Sequence, residues 1–470
     1  MTDERQTKLT LKEKLGYGCG GVTDGANYTF MGSYMLFFLT TVAHVDPAAA
    51  GTLVAAGSII SALWNPLVGF LSDRTGSRFG KRRPFLIAAS LPLALAMVLC
   101  FTRIEAPDVL RNIYYGFAIV LFWCSFSTFY GPWLALGADY TAEYSERTEL
   151  RTLTYGITLT GNALSLGVPP LLVDWFASQG MSQARAWQLM AVIVALITFC
   201  ALWMTIIAAR TRDLPRRKIA AQTGGVAGVK ALCRDYLDIL RLRPTKFVLG
   251  ACLCHITATG IFSSDRLYFF TYNLQLSPLA TTLVMLSFPL AGVIVLRPIL
   301  TLSKWLDKRK ALIFFLLTAA AGCLLIGELI GVRGFWGMVA LTFVFVIGNS
   351  AFWQLMPVMI YDISEYDEYK NGKRREGIIV SLQTVMETIC SGTATMLLGF
   401  ILQLAGFDET QAVQTDGALA GVSFAICALP AILMLGCAFM VYKYPITKQV
   451  FNDIKAAIKS RKNTDDQKML

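Results

Sequence analysis

One recurrence constrains this chain more than any other feature: twelve apolar runs of roughly 20 residues, each closed by polar or basic residues. Coiled as an α-helix, a run of that length covers about 30 Å, the thickness of a bilayer's hydrocarbon core. Inside that core every backbone N–H and C=O must be satisfied internally, which runs of this length achieve as helices. The predicted fold class is therefore an all-α membrane protein with twelve transmembrane helices. The spans fall near 16–41, 49–72, 84–103, 112–137, 152–177 and 186–209, then 247–271, 278–302, 310–332, 336–361, 377–404 and 416–442. Composition agrees: of 470 residues, 55% are hydrophobic and 16% charged, where a soluble protein carries about a quarter charged. The net charge of +11 is spread in short bursts between the spans. No single basic face results, so no nucleic-acid partner is expected.

Those bursts alternate. Basic segments are the N-terminus, Arg74–Arg83, Arg147–Arg151, Arg210–Lys246, Lys304–Lys310, Lys370–Arg375 and the tail from Lys443. The intervening loops, such as "AHVDPAAAG", "TYNLQLSP" and "FDETQAVQTDG", hold few or no Lys or Arg. By the positive-inside rule both termini and the long central loop are cytoplasmic, and the chain is a multi-pass protein of the cytoplasmic (inner) membrane. "MTDERQTKLTLKEKLG" has no short apolar core or cleavage site of a signal peptide and reads as a leader into the first span. The eleven cysteines form no C-x-x-C pair and read as packing residues, so no metal is expected.

The spans divide into halves. Residues 1–209 form an N-terminal six-helix bundle, 210–246 a cytoplasmic linker, 247–442 a C-terminal six-helix bundle and 443–470 a cytoplasmic tail. Within the linker, Val229, Leu232, Tyr236, Ile239 and Leu240 recur at helical spacing beside Lys230, Arg234 and Arg241. That pattern predicts an amphipathic helix on the inner leaflet, with a soluble linker helix as the alternative. "NPLVGFLSDRTGSRFGKRRPF" after the second span has a degenerate counterpart after the eighth, "RPILTLSKWLDKRKALIF", with Pro66 matching Pro298. Six plus six spans with matching loops is the construction of a rocker-type secondary transporter. No Walker A sequence occurs, so the expected transport is gradient-driven or passive; the chain is expected to work as a monomer, without enzymatic chemistry or a cofactor beyond a coupling cation.

The loop after span two concentrates charge. Arg74, Arg78, Lys81, Arg82 and Arg83 anchor topology, and Asp73 at the helix end is suited to pair with an arginine in one conformation and lose it in another. Asp73, Arg74, Arg78, Lys81 and Arg82 are therefore the candidate gating residues.

"GFLSDRTGSRFGKRRPF" resembles the second–third loop of the major facilitator superfamily. With "GPWLALGADYTAEYSERTELR" (131–151) and "YDISEYDEYKNGKRREGIIVSLQT" (361–384), the chain from "YGCGG" onward resembles the glycoside–pentoside–hexuronide:cation symporters, the melibiose permease group. The resemblance implies a major facilitator fold and symport of glycosides with sodium, lithium or protons. It also marks departures. The family's helix-two cation carboxylates fall at Ser61 and Asn65. Its sugar-gripping acids fall at Gly25 and Tyr130, its helix-five arginine at Tyr155 and its helix-eleven lysine at Thr388.

The remaining intramembrane polar residues are weighed on their own. Asp24 lies about 13 Å into the first span and Glu387 about 15 Å into the eleventh. Both are near the midplane, where an ionisable residue is a functional candidate. His255 reads equally as a satisfied core histidine or a proton carrier, and Asp265, Arg266 and Glu328 sit near outer helix ends. A sugar's C–H face stacks on rings while its hydroxyls take directional hydrogen bonds. The candidate substrate-binding residues are Asp24, Asn27, Tyr28, Tyr130, Trp133, Tyr155, Trp353, Gln383 and Thr388; the coupling candidates are Asp24, Glu387, Ser61 and Asn65. Without a carboxylate at Ser61 or Asn65 a sodium site there is weak, whereas a proton needs one acid that two sides reach in turn. The expected function is symport of a glycoside or related sugar, with proton coupling favoured over sodium. The alternatives are a carrier of lysolipid or another amphiphile, and a non-transporting sugar sensor on the same fold.

Overall fold

The computed structural model describes residues 9–77, 79–140, 144–211, 226–372, 375–408 and 411–457, apart from 412, 448 and 455. Fourteen helices account for nearly all of it: α1 (Leu11–Phe37), α2 (Pro47–Arg74), α3 (Arg83–Cys100), α4 (Asp108–Asp139), α5 (Tyr144–Ser178), α6 (Gln183–Ala208) and α7 (Val226–Arg241). They continue as α8 (Arg243–Tyr268), α9 (Pro278–Leu306), α10 (Lys308–Leu324), α11 (Gly334–Asn371), α12 (Glu376–Leu404), α13 (Asp416–Ile426) and α14 (Ala428–Lys443). Local chemistry sets several boundaries. Thr10 and Glu13 form a capping box at the start of α1, satisfying two of the donors a helix end leaves open. Asp46 Oδ1 accepts from the amides of Ala48 and Ala49, and Pro47 occupies the first position of α2. Gly372 ends α11 with φ of 67°, the left-handed conformation that favours glycine.

Among the described residues, eleven helices are long and apolar enough to cross a bilayer, with α13 and α14 together as one span. They match eleven of the twelve runs read from the sequence. The first run is helical as expected, but α1 is outside that set. Its "GYGCGGVTDGANYTFMGSYM" trades hydropathy for glycine and hydroxyls, which serve packing. Both α1 and α8 run on into a five-residue π-helical turn, Phe38–Val42 and Phe269–Asn273.

By contacts the chain forms two units. Unit 1 comprises Met1–Ala220, Ser263–Pro289 and Ser391–Ser423; unit 2 comprises Ala221–Phe262, Leu290–Cys390 and Phe424–Leu470. In unit 1, α1 packs along α5 and α6, while α4 carries α2 and α3. The α1–α5 approach is close because glycines line it. A Cβ on Gly21 would lie 2.5 Å from Thr158 Oγ1, and one on Gly25 would lie 2.5 Å from the carbonyl of Thr158 and 2.7 Å from Asn162 Oδ1. Small residues at a membrane helix interface let backbones meet and replace the hydrophobic drive that lipid removes.

Unit 1 also gathers segments distant in sequence at the end of α1 away from its N-terminus, called here the far end. Ser264 Oγ donates to the carbonyl of Gly32 at 3.0 Å, and the hydroxyls of Thr40 and Tyr268 lie 2.5 Å apart. Thr282 Oγ1 donates to the carbonyl of Gly167 at 2.9 Å, and Gln403 Nε2 donates to Asp46 Oδ2 at 2.9 Å. A Cβ on Gly399 would sit 2.2 Å from the carbonyl oxygen of Pro47.

In unit 2, α10 packs on α11 and α14. The predicted linker helix exists as α7, and its exposed Leu237 is free to meet an apolar phase. Its opposite side is occupied. Arg375, in the loop between α11 and α12, reaches Asp235 Oδ1 at 2.8 Å and Asp238 Oδ2 at 3.5 Å. The same guanidinium grips the fully buried Asp367 with two bonds of 2.8 Å. The hydrogen bonds it donates to Asp367, then the pair with Asp235, push the Arg375 pKa above its ordinary value. Lys308 pairs with Asp362, tying the start of α10 to α11.

Candidate functional site

The predicted site residues fall in both units, and each unit presents its own set. In unit 1, Asp24 and Tyr28 lie one turn apart on α1 and so share a face. Asp24 is half-buried and Tyr28 exposed. Tyr28 meets α4 edge-on at Trp123, centroids 6.0 Å apart, and is tilted against Phe126 at 6.3 Å. Phe126 stacks on Tyr130 at 5.7 Å. The result is a ladder of rings along α4, with Tyr130 half-buried at its end. Tyr155 stands exposed on α5.

Three predicted residues in this unit are placed otherwise than expected. Trp133 is 2% exposed, stacks on Tyr17 at 5.5 Å and donates its indole N–H to the Tyr17 carbonyl, so it is a core residue. Asn27 is fully buried, its amide donating back to the carbonyl of Thr23 at 2.7 Å. Ser61 is buried as well; its Oγ lies 2.6 Å from Ser127 Oγ and 3.2 Å from the Trp123 carbonyl. Depth along a helix can be read from a sequence, and family register gives a position, but rotation about the helix axis comes from packing. Asn65 is half-buried, its Oδ1 facing Gly131 of α4.

Register with the resembled family placed Gly25 at a sugar-gripping acid, and the structure gives a reason for the departure. No side chain fits at Gly25 beneath Thr158 and Asn162. Asn162 itself, missed in the sequence reading, accepts from Thr29 Oγ1 at 2.8 Å. Arg151 was also passed over; with Asp24 it is one of the charged groups acting on the Tyr17 hydroxyl. The spacing of Gly18, Gly21 and Gly25 opposite Gly161 was the available signal for this seam.

In unit 2, α11 presents Asn349 and Trp353 one turn apart. Trp353 is 38% exposed and braced edge-on by Phe352 at 5.8 Å. Asn349 Oδ1 accepts from Thr259 Oγ1 at 3.1 Å and lies 3.2 Å from His255 Nε2. His255 is fully buried and stacked on Phe352 at 3.9 Å, and among the described residues its Nδ1 makes no hydrogen bond. On α12, Gln383, Glu387 and Thr388 are half-buried. Gln383 and Glu387 are one turn apart, and Thr388 Oγ1 donates to the carbonyl of Thr384 at 3.0 Å.

Of the gating candidates, the Asp73 and Arg74 side chains and the whole of Arg78 lie outside the described residues. Lys81 is half-buried, and Arg82, 8% exposed, donates to Ser72 Oγ of α2 at 2.6 Å. No group of three or more His, Cys, Asp or Glu suited to a metal occurs among the described residues.

A family model described as "MFS/sugar transport protein" matches residues 16–448. The chain is 25% identical to a glucuronide carrier protein homolog of Escherichia coli K12, over 98% of both chains. It is 24% identical to an isoprimeverose transporter of Lactiplantibacillus pentosus, over 87% of this chain and 83% of that one. Among solved structures, the inward-open xylose transporter XylE of E. coli superposes with a TM-score of 0.62 at 16% identity, covering 94% of this chain and 98% of that one. That likeness shows the fold.

Proposed function

The chain belongs to the MFS/sugar transport protein family, a family of transporters and not of enzymes, and from that premise we propose that it carries a glycoside or related sugar by proton-coupled symport. The supporting observation is that each unit offers an intramembrane acid together with an accessible ring: Asp24 with Tyr28, and Glu387 with Trp353. Rings stack on a sugar's C–H face, and acids accept its hydroxyls or carry the coupled proton. Gln383 and Thr388 add neutral hydroxyl partners.

Coupling to a proton is favoured over sodium by the chemistry of α2. Ser61 is engaged with Ser127 and the Trp123 carbonyl, and Asn65 brings no charge. A sodium ion stripped of water needs hard oxygens with net negative charge among them. A proton needs one carboxyl that alternates between two sides, and α1 and α12 each carry one.

In this reading all twelve runs span the cytoplasmic membrane, the termini are cytoplasmic and the far-end seal faces outward. Residues 1–209 and 247–442 are the two bundles that move, and the monomer is the working unit. Right-side-out vesicles energised by a pH gradient should accumulate the sugar, and a sodium gradient alone should not. Glu387→Gln and Asp24→Asn should abolish pH-driven accumulation while sparing exchange of sugar down its own gradient. Sodium-driven uptake that ignores both substitutions would return the cation site to α2.

A further inference from the structure

The far-end seal of unit 1 encloses a carboxylate that the surrounding structure leaves without a partner. Asp265, on α8, is 0% exposed, and among the described residues neither of its carboxylate oxygens finds a hydrogen-bond partner. The residues around it in sequence hold the seal shut. Ser264 bonds the Gly32 carbonyl of α1, and Tyr268, one turn beyond Asp265, meets Thr40. Tyr268 also sits edge-on to Phe37 at 5.2 Å and to Phe407 at 5.5 Å. Asp265 thus sits on α8 between two residues that make this contact, and is itself wholly buried.

Among the described residues, the titratable and charged groups recorded in this region are Tyr268, Tyr272, Arg266 and Tyr34. Tyr268 registers its field from the same helix, and Tyr272 lies beyond Tyr268. Arg266 is adjacent in the chain, but consecutive helical residues do not face each other. The Arg266 guanidinium lies 5.1 Å over the Phe288 ring of α9 and acts on Tyr34 of α1. An ionised carboxylate in such a contact, with neither a cation nor a donor on it, is strongly disfavoured, and the group is seated neutral.

We propose that Asp265 is a proton-binding site that latches the far-end seal, protonated while α8 lies on α1 and ionised when they part. On opening, the carboxyl O–H bond breaks, the proton passes to water on that side and the electron pair stays on the carboxylate. Closing takes one proton back from the same side. The inference rests on the alternating-access reading above, but it concerns an acid other than Asp24 and Glu387 and a step other than sugar binding.

One proton released on opening makes the open-to-closed ratio depend on pH, rising by up to about tenfold per unit once the exposed carboxyl ionises. The test uses the full chain in lipid nanodiscs with no sugar present. Spin labels go on Glu105 and Ser277, exposed residues of the α3–α4 and α8–α9 loops, through a genetically encoded ketone that leaves the native cysteines in place. Pulsed electron–electron resonance then reads their distance from pH 6 to pH 9. In the native chain a longer distance should gain population as pH rises. Asp265→Asn and the apolar Asp265→Leu should hold the short distance at every pH, and Asp265→Glu should keep the response. A pH response surviving in the Asn or Leu variant would overturn the proposal, as would a single unchanging distance in the native chain. Failure of the transport reading would show separately, as absence of sugar uptake under either gradient.

Discussion

Two regions of the molecule are held together by opposite chemistry. The far-end seal of unit 1 relies on hydroxyls donating to carbonyls, rings set edge-on, and glycines that bring backbones together. The loop between α11 and α12 in unit 2 relies on charge, with Arg375 shared among Asp367, Asp235 and Asp238. Neutral hydrogen bonds cost little to exchange for water, each contributing about 1 kcal/mol net. A buried charge stripped of its partner costs several times that. A contact that must part and re-form suits the first chemistry, and one that must persist suits the second.

The largest effect should come from breaking the charged region. Arg375→Ala leaves Asp367 buried without its cation and should destabilise the protein by about 3–5 kcal/mol, read by thermal unfolding in detergent. Loss within 1 kcal/mol would mean that Asp367 finds another partner and that the clamp is incidental. Next is the α1–α5 seam. Gly25→Ala drives a methyl into the Thr158 carbonyl and Asn162, an overpacking expected to cost about 1–3 kcal/mol. By the same geometry, Gly25→Asp should fail to raise sugar affinity, although register places a sugar-gripping family acid there.

The neutral region should respond more mildly. Tyr268→Phe removes the hydroxyl contact with Thr40, about 1 kcal/mol, and should enlarge the longer-distance population of the Glu105–Ser277 spin pair several-fold without lowering the unfolding temperature appreciably. A drop as large as that of Arg375→Ala would erase the contrast between the regions. The smallest effect concerns Lys14, which pairs with Glu146 at 3.1 Å and Glu149 at 2.8 Å. Its hydrogen bond to Glu149, chiefly, raises the Lys14 pKa above 10.5. The stabilisation is therefore full below pH 10.5 and lost as pH rises through the raised value. Lys14→Met should lower stability slightly at pH 8, and the difference from the native chain should shrink at pH 11 and above.

What the sequence disclosed follows from period and composition. Apolar runs of bilayer length located eleven spans, although α11 runs ten residues past the expected end at 361, and the amphipathic spacing of Val229–Leu240 located α7. Prediction fell short where rotation about a helix axis mattered. Trp133, Asn27 and Ser61 have the right depth and face the core or a neighbouring helix. It also failed for contacts between distant positions: Arg375 and Asp235 are 140 residues apart, and nothing local in either stretch marks the pairing. Asp265 was legible as a charge near a helix end, while its full burial is a tertiary property that no local pattern marks. The family register gave positions without volumes, which is why Gly25 needed the structure to be understood.

The central claim, sugar–proton symport, is tested most directly in proteoliposomes loaded with a pH-sensitive dye and held in sodium-free buffer. Glucuronides, xylosides and related glycosides are added outside one at a time, with no imposed gradient other than that of the sugar. At least one should acidify the lumen, and Glu387→Gln should abolish the acidification while labelled sugar still exchanges. Sugar uptake that leaves the lumen pH unchanged and requires added sodium would contradict the account.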